Sequence, residues 1–512
     1  MDPRIARAFA PEHFRELGHA LVDRLADYLA AANARDVPVL PFVEPARLAA
    51  QFERGFDAPD SALWETKLPE FLAAAIHLHH PRYVGHQVTS PLPEAALSEL
   101  VAALTNNGAA VYEMGPLEVA MERALVAQLS RWAGFPAAAE GVFTSGGSAG
   151  NLTALLAARQ AKAGFDAWRE GLAEHEPLGV LVSEQSHYSV VRSLQIMGLG
   201  AASVQTVPVD AQFRMRAELL DDALERLRAR GCRAIAVVAS AGSTATGAYD
   251  PLSPIAEFAA REGLWLHVDG AHGASALLSA RLRAKLDGVE RADSLVWDAH
   301  KMLLMPALCT AVLFRDGRRS YEAFAQQASY LFEGDDPRAE WFNFASRTLE
   351  CTKRWMALPL YSALSRYGAD FFARYVEGQV ELSARFADAI EQSGDFELCV
   401  RPESNIVCFR YIGNAERSPQ EIDALQRRLR SELVRSGEFY LVQTTLRSRV
   451  YLRTTIINPL TTDADLEAFV AVDSPRRDQS LTRASATKLV QPLISVRKHE
   501  KEGLVRRPDA PR

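Results

Sequence analysis

The stretch that decides the fold is residues 265–306, WLHVDGAHGASALLSARLRAKLDGVERADSLVWDAHKMLLMP. It contains an apolar run that ends at Asp269 and, after a helical segment, a second apolar run that leads into Asp-Ala-His-Lys at residues 298–301. Apolar runs joined by a helical segment are typical of buried parallel strands. Because open α/β sheets bind ligands outside the carboxyl ends of their strands, we expect Asp269 and Lys301 to lie at one sheet edge.

A carboxylate and an amine at one such edge suit pyridoxal phosphate chemistry. In that chemistry a lysine holds the cofactor aldehyde as a Schiff base, and an acid keeps the pyridine nitrogen protonated, so that the ring acts as an electron sink. The pair is a weak signal when taken alone, because an acid at a strand end is often only a helix cap and a lysine is usually a surface residue. The interpretation therefore depends on the motifs in the rest of the chain.

Upstream and downstream of this pair, apolar runs alternate with helical segments: GVLVSEQSH, ASVQTVPVD, AIAVVASAGST, LWLHVD, SLVWD and CTAVLFRD. This alternation predicts an α/β fold with a mostly parallel central sheet and crossover helices. The residues suited to chemistry follow the carboxyl ends of these runs, namely residues 145–148, His187, Thr244, Asp269 and Lys301. The sequence therefore predicts one site on one edge of the sheet.

The segment GGSAGN at residues 146–151 follows the apolar run GVFTS and opens a helical segment. A turn of small residues at a helix N-terminus presents free backbone N–H groups and a positive dipole end to an anion. It is a candidate phosphate site formed by Ser145, Gly146, Gly147, Ser148 and Asn151. Many such turns cap a helix and bind nothing, so the motif is weak by itself.

The chain divides into four predicted parts. Residues 1–85 form a helical segment, in which an amphipathic helix over residues 11–33 is expected to pack on another subunit because prolines follow it at once. Residues 86–372 form a large cofactor-binding domain and residues 373–473 a small C-terminal α+β domain. The basic residues 474–512 lack apolar periodicity and are predicted to be a disordered tail.

Composition narrows the class of protein. The chain has 512 residues, of which 48% are hydrophobic and 24% charged, a composition typical of globular proteins. Its net charge of −7 gives no basic surface for nucleic acid, so we expect no nucleic-acid partner. The five cysteines never occur as Cys-x-x-Cys, so neither a disulfide framework nor a zinc site is indicated, and we expect no metal. No run reaches about 18 uncharged apolar residues and no signal peptide is evident, so no membrane partner is expected and the cytoplasm is the expected location.

With these motifs assembled, the chain resembles the group II pyridoxal-phosphate-dependent amino-acid decarboxylases, the family of glutamate, cysteine sulfinate, aromatic amino-acid and 2,4-diaminobutyrate decarboxylases. The similarity runs from about residue 13 to residue 472. It rests on HPRYVGHQ at 80–87, YEMGP at 112–116, TSGGSAGN at 144–151, SEQSHYSV at 183–190, LWLHVDGAHGAS at 264–275, RADSLVWDAHKML at 291–303, ASYLFE at 328–333 and LRTTIINP at 452–459. The resemblance implies the fold type I architecture of pyridoxal-phosphate enzymes and decarboxylation of an L-amino acid to an amine and CO2.

The resemblance also assigns roles to residues around the cofactor. It implies that Lys301 binds pyridoxal 5'-phosphate covalently, that Asp269 pairs with the pyridine nitrogen and that His187 stacks on the ring. The phosphate and the ring edge would be contacted by Gly146, Gly147, Ser148, Thr244 and His300.

Further residues are implied to act on the substrate. Tyr330 falls in a long loop, residues 316–350, where similar enzymes carry a mobile tyrosine that protonates the product carbon and reaches the partner subunit's site. A homodimer with shared active sites is therefore implied, and a tyrosine at this position favours plain decarboxylation over oxidative deamination. Arg453 matches an arginine that grips a substrate carboxylate, and His86 and Gln87 lie in a pocket-lining segment.

Two departures from the family pattern leave the substrate open. Asp298-Ala299 stands where Asn-Pro is common, and Ala271-His272 replaces a small residue followed by an aromatic one. Small acidic substrates (aspartate, glutamate, cysteine sulfinate) and diamino substrates (2,4-diaminobutyrate) rank nearly level, with aromatic amino acids third. An aminotransferase or an aldehyde-forming oxidative deaminase on the same fold, and an inactive binding protein, are the alternatives.

Overall fold

The apolar runs of the sequence form the central sheet. Its strands are β1 Glu140–Thr144, β2 Leu178–Ser183, β3 Val204–Val207, β4 Arg233–Ser240, β5 Trp265–Asp269, β6 Ser294–Asp298 and β7 Thr310–Phe314. They are hydrogen-bonded in the order β1-β7-β6-β5-β4-β2-β3. The structure is a computed structural model that describes residues 2–53, 63–324, 340–413 and 416–472.

The strand directions bring several carboxyl ends to one edge. Strands β6, β5, β4, β2 and β3 are parallel to one another, whereas β7 is antiparallel to both of its neighbours, β6 and β1. Strand β1 therefore runs in the same direction as β6. The prediction of a mostly parallel sheet is confirmed, and the segments that follow β1, β2, β4, β5 and β6 all begin at the same edge.

Helices precede, connect and follow these strands. Before the sheet lie α1 Pro3–Ala8, α2 Pro11–Ala34, α3 Pro45–Ala50, α4 Leu68–Ala74, α5 Pro93–Thr105 and α6 Pro116–Trp132. Between its strands lie α7 Gly147–Lys162, α8 Ala167–Glu170, α9 Tyr188–Ile196, α10 Leu220–Ala229 and α11 Leu252–Glu262. After it come α12 Ala357–Gln392, α13 Pro419–Ser436 and α14 Asp463–Val472.

Apolar side chains cover both faces of the central sheet. Val237 packs into one hydrophobic cluster with residues of α6, α10, α11 and α12, whereas its neighbour Val238 packs into another with residues of α7 and α9. Successive strand residues point to opposite faces, so a strand that is buried on both sides needs a continuous apolar run rather than an alternating one. The uninterrupted runs in the sequence therefore follow from helices on both faces.

A smaller antiparallel sheet follows, in the order β10-β11-β9-β8, built from β8 Phe396–Leu398, β9 Ile406–Tyr411, β10 Val442–Leu446 and β11 Arg449–Thr455. Helix α13 packs on it and begins with a capping box, in which the Ser418 hydroxyl accepts from Glu421 N and the Glu421 carboxylate accepts from Ser418 N. The prediction of a small C-terminal α+β portion is confirmed. The predicted boundary at residue 372 falls within α12.

Helix α2 ends at Ala34, one residue beyond the predicted end. Its C-cap, Arg35, has a φ of 68° and donates two hydrogen bonds, of 2.8 and 2.7 Å, to the carboxylate of Asp465. Packing of α2 on another subunit stays a prediction.

The described residues up to Leu466 belong to one unit, and those of the second unit are 467–472, the last turns of α14. Within the described parts of the chain, no helix combines the length and the apolar character needed to cross a bilayer.

Candidate active site

A cavity of about 250 Å³ opens at the sheet edge where β1, β2, β4, β5 and β6 end. It is lined by Ser145, Gly146, Gly147, Ser148, Asn151, His187, Ser240, Gly242, Ser243, Thr244, Asp269, Ala271, His272, Asp298, His300, Lys301 and Leu308. Every residue predicted to contact the cofactor is among them. The prediction that residues from distant parts of the chain meet at one edge is therefore confirmed.

Lys301 lies beside a buried carboxylate. Its Nζ is 2.9 Å from Asp298 Oδ2, and the other carboxylate oxygen, Oδ1, accepts a hydrogen bond of 2.6 Å from Thr310 Oγ1. Burial by itself would raise the pKa of Asp298, but the neighbouring Lys301 and His300 outweigh that effect and the pKa is lowered. Asp298 is therefore an anion that orients the Lys301 ammonium.

Asp269 ends β5 and is almost fully buried. Its Oδ2 accepts a hydrogen bond of 2.9 Å from Asn151 Nδ2, and its Oδ1 accepts one of 3.2 Å from the backbone N–H of Ala271. A buried carboxylate with two such donors is held in a fixed orientation.

His187 caps α9, and its Nδ1 accepts from the hydroxyl of Ser189 at 2.7 Å. Burial lowers the pKa of His187. The charge of Lys301 lowers this pKa further, whereas the charges of Asp269 and Asp298 oppose the change. The imidazole is therefore biased towards its neutral form, with its Nε2 left to carry the proton.

A helix N-terminus completes the cavity. Helix α7 begins at Gly147, directly after Gly146, which has a φ of 113° that favours glycine. The first N–H groups of a helix have no partner within it, and they attract an anion. A Cβ at Gly147 would lie 3.1 Å from both carboxylate oxygens of Asp298, so glycine keeps this space open.

These features fit pyridoxal phosphate. The cavity offers an amine for the aldehyde, a fixed carboxylate for the pyridine nitrogen, an imidazole, and a glycine-lined helix N-terminus for the phosphate.

Comparison with known proteins gives the same class. The family model described as the pyridoxal-dependent decarboxylase conserved domain matches residues 70–412. This chain belongs to that family. The L-2,4-diaminobutyrate decarboxylase of Rhizobium meliloti (strain 1021) is 32% identical over 88% of this chain and 88% of its own length. The cysteine sulfinic acid decarboxylase of Mus musculus is 31% identical over 76% of this chain and 80% of its own.

A solved structure agrees with these sequence matches. The crystal structure of mouse CSAD superposes with a TM-score of 0.83 at 26% identity and covers 90% of this chain and 98% of its own. The chain is therefore a pyridoxal-phosphate-dependent amino-acid decarboxylase, a lyase with the fold that the sequence predicted.

In this decarboxylase the predicted substrate-binding residues His86, Gln87 and Arg453 lie outside the cavity lining. Arg453, on β11, is buried, donates from Nη2 to Thr455 Oγ1 at 3.1 Å, and has no hydrogen-bond partner for its Nε among the described residues. His86 lies 5.8 Å from the Tyr440 ring, measured between centroids, and its pKa is lowered by burial and by Arg453. The Nε2 of Gln87 is buried without a partner in the described part of the chain. Tyr330 lies outside the described residues.

His272 connects the cavity with the small sheet. Its Nε2 lies 2.6 Å from Asn405 Oδ1, and Asn405 Nδ2 donates to the carbonyl of Ile456 at 3.0 Å. Burial lowers the pKa of His272 to about 3, with Lys301 and Arg453 contributing in the same direction. The neutral ring therefore carries its proton on Nε2, and Nδ1 is left as an acceptor.

The sequence did not reveal all of the site. Asn151 was a phosphate candidate, but its side chain hydrogen-bonds Asp269, Ser189 and His267 instead. His267 is fully buried behind Asp269, and a polar residue in the apolar run LWLHVD was the one signal of it. The cavity also includes Gly242, whose φ of 82° and close approach to Gly273 leave no space for a side chain.

Proposed function

We propose that this decarboxylase removes the α-carboxylate of a small acidic or diamino L-amino acid as CO2 and releases the corresponding amine. The observation that carries the proposal is the shared cavity, in which the amine of Lys301, the carboxylate of Asp269 and the imidazole of His187 face one small space. When bound there, pyridoxal phosphate supplies an electron sink for the electron pair that CO2 leaves behind.

Lys301 is proposed as the residue that binds the cofactor aldehyde. Asp298 orients the ammonium of Lys301 at 2.9 Å, and His300 lies 3.6 Å from the same carboxylate oxygen. His300 is held in turn by its Nδ1, which lies 3.2 Å from the backbone nitrogen of Cys309. The proposed role of His300 is to contact the phosphate, together with Gly146, Gly147 and Ser148.

Asp269 is proposed to hold the proton on the pyridine nitrogen, because its carboxylate is buried and fixed by two donors. His187 is proposed to flank the ring, and Thr244 to contact its edge. The proton returned to the α-carbon is proposed to come from Tyr330 or from His187 Nε2. Donation from the neutral ring at Nε2 must be matched by a proton taken up at Nδ1, which the Ser189 hydroxyl contacts at 2.7 Å.

The substrate side chain is proposed to reach His86, Gln87 and Arg453. Arg453 suits a carboxylate or sulfinate because its guanidinium is buried and its Nε has no partner among the described residues. Relatives that act on diaminobutyrate and on cysteine sulfinate match at nearly equal identity, 32% and 31%, so both substrate classes stay in the proposal. Aromatic amino acids rank third.

The decisive experiment is a panel of L-amino acids assayed for CO2 release with added pyridoxal phosphate. The panel contains aspartate, glutamate, cysteine sulfinate, 2,4-diaminobutyrate and an aromatic amino acid, and the products are identified by mass spectrometry. We expect an amine and CO2 from an acidic or a diamino substrate. A keto acid, or an aldehyde with ammonia, would instead indicate an aminotransferase or an oxidative deaminase, and turnover of the aromatic amino acid alone would refute the substrate class.

A homodimer with shared active sites is part of the proposal. Helix α5 presents Leu97, Leu100, Val101 and Leu104, spaced i, i+3, i+4 and i+7 on one face, and these four side chains are 44–64% exposed. We refer to them as the α5 stripe. A contiguous apolar stripe of this kind is typical of a surface that another chain covers.

The location is proposed from the cysteines and the domain division from the course of α12. All five cysteines are free thiols, which supports a reducing compartment such as the cytoplasm. The large domain, residues 86–372, and the small domain, residues 373–473, are proposed to be joined through α12.

A further inference from the structure

A chain of buried side chains leads from the core of the sheet to the cavity. It begins at the indole of Trp265, which donates from Nε1 to Ser294 Oγ at 2.8 Å. Ser294 Oγ lies 2.8 Å from His267 Nδ1, and His267 Nε2 lies 3.0 Å from Asn151 Oδ1. The chain therefore passes from β5 to β6, returns to β5 at His267 and reaches the cavity lining at Asn151 of α7.

At Asn151 the chain divides into two arms. The Asn151 amide nitrogen donates to Asp269 Oδ2 at 2.9 Å and to Ser189 Oγ at 2.9 Å. The Ser189 hydroxyl then lies 2.7 Å from His187 Nδ1. One arm thus ends on the residue proposed to face the pyridine nitrogen, and the other on the residue proposed to flank the ring.

The direction of every hydrogen bond in the chain is determined. An indole nitrogen only donates, so Ser294 Oγ accepts from Trp265, and the Ser294 proton goes to His267 Nδ1 because that nitrogen carries none. Burial lowers the pKa of His267 to about 4 against the opposing charge of Asp269, so the ring is neutral at physiological pH and its one proton is on Nε2. A carboxylate only accepts, so the Asn151 amide must turn its nitrogen to Asp269 and its oxygen to His267.

These constraints extend to the cavity. Both protons of the Asn151 amide are used, and Ser189 accepts one of them, so the Ser189 hydroxyl is free to donate to His187 Nδ1. Asn151, His267 and Ser294 are all nearly or fully buried, so water does not compete for these bonds.

We propose that Asn151 and His267 are positioning residues, which fix the Asp269 carboxylate and hold His187 in its Nε2-protonated form through this hydrogen-bond chain. The inference rests on the proposed function, because it assigns to the chain the orientation of the two groups that face the cofactor ring. Asn151 is the branching residue, so its loss disturbs both arms. His267 acts through Asn151, so its loss disturbs them less.

The test measures the affinity of the cofactor-free protein for pyridoxal phosphate by fluorescence quenching, alongside kcat and KM of the holoenzyme. The variants are Asn151→Ala, His267→Phe and His267→Gln, since glutamine offers both an acceptor for Ser294 and a donor for Asn151. The matched control is Thr153→Val. Thr153 is equally buried on the same helix, but its hydroxyl donates to the carbonyl of Ala149, outside the chain.

We expect Asn151→Ala to weaken cofactor binding by about tenfold to a hundredfold, as befits one lost hydrogen bond to a charged group. We expect its kcat to fall with little change in KM, because the chain contacts the cofactor side of the cavity. His267→Phe should shift both values in the same direction by a smaller factor, and His267→Gln should restore most of the loss. A change in folding alone would not be restored by glutamine.

Two results would overturn the inference. One is an affinity of Asn151→Ala for the cofactor equal to that of Thr153→Val. The other is an affinity and a kcat of His267→Gln no higher than those of His267→Phe. The Asn151 comparison still decides if His267→Phe does not fold. If the parent protein binds the cofactor and releases CO2, and the variants bind the cofactor as tightly as the Thr153→Val control, the inference is wrong and the proposed function stands. A parent protein that does neither overturns the proposed function and the inference with it.

Discussion

Lys301 places a primary amine in the cavity, 2.9 Å from a buried carboxylate oxygen. We expect Lys301→Ala to abolish the absorbance band of the covalently bound cofactor and to lower kcat by more than about a thousandfold, because the nucleophile that binds the cofactor is removed. Spectrophotometry and a CO2-release assay check both effects. Lys162→Ala is the control, because the Lys162 amine donates to the carbonyl of Gly263 away from the cavity. Retained turnover in Lys301→Ala would contradict the assignment.

Glu118, in the first turn of α6, is a buried acid that the proposed chemistry does not use. Neither carboxylate oxygen has a hydrogen-bond partner among the described residues, and burial, reinforced by Glu122 and opposed by Lys353, raises its pKa to about 9. At a pH between 4.5, the ordinary pKa of this carboxyl group, and about 9, the folded protein holds a proton that the unfolded chain releases. The free energy of unfolding should therefore fall as the pH rises through this window, by up to about 1.4 kcal/mol per pH unit.

Glu118→Gln removes that proton linkage. We expect the variant to lose less stability than the parent protein between pH 6 and pH 8, and to be the more stable of the two at pH 8. Urea unfolding at several pH values measures the slopes. Parallel slopes for the two proteins would show that Glu118 is not protonated in the folded state.

At the scale of single residues, the sequence predicted the groups that end on the cavity but not those that orient them. Lys301, Asp269 and His187 each follow the carboxyl end of an apolar run, and that position is visible in the sequence. Asn151 and His267 are 116 residues apart, and their hydrogen bond depends on the order β6-β5-β4 and on where α7 crosses that sheet. Apolar periodicity does not contain this information.

At the scale of elements, α12 is bent at one residue. Gly368 has a φ of 71° and a ψ of 170° inside Ala357–Gln392, a conformation that is open essentially to glycine alone. Outside the helix's own backbone and the two neighbouring residues, no atom of the described residues lies within 4 Å of a Cβ built there, so the cost of a side chain comes from the backbone and not from a clash. We expect Gly368→Ala to lower the free energy of unfolding by about 1–3 kcal/mol, measured by chemical denaturation.

The same helix provides the control. Gly378 also has free space around a Cβ, but its φ does not lie in the positive range. Gly378→Ala should therefore stabilise the protein by about 0.5–1 kcal/mol, because alanine is the better helix former. A loss of stability equal to that of Gly368→Ala would mean that the bend is not the source of the cost.

The two halves of α12 meet in this bend at Gly368. Strands that are buried on both faces were visible in the sequence, because their apolar runs are continuous. The antiparallel direction of β7 was not visible in the sequence. Strand direction depends on the route of the connecting chain and not on the composition of the strand.

At the scale of the whole molecule, the α5 stripe carries the last prediction. Leu100 and Leu104 are 44% and 64% exposed one turn apart, whereas Ala95 and Ala102 bury the opposite face of the helix. If a second copy covers the stripe, two charges placed there must be desolvated in the dimer. We therefore expect Leu100→Glu with Leu104→Glu to halve the mass measured by light scattering and to lower CO2 release at least about tenfold, because each site is proposed to need its partner. Leu460→Glu, at another exposed leucine of 46% exposure, should leave the mass unchanged. A double variant that keeps the mass of two chains would place the dimer contact on another face.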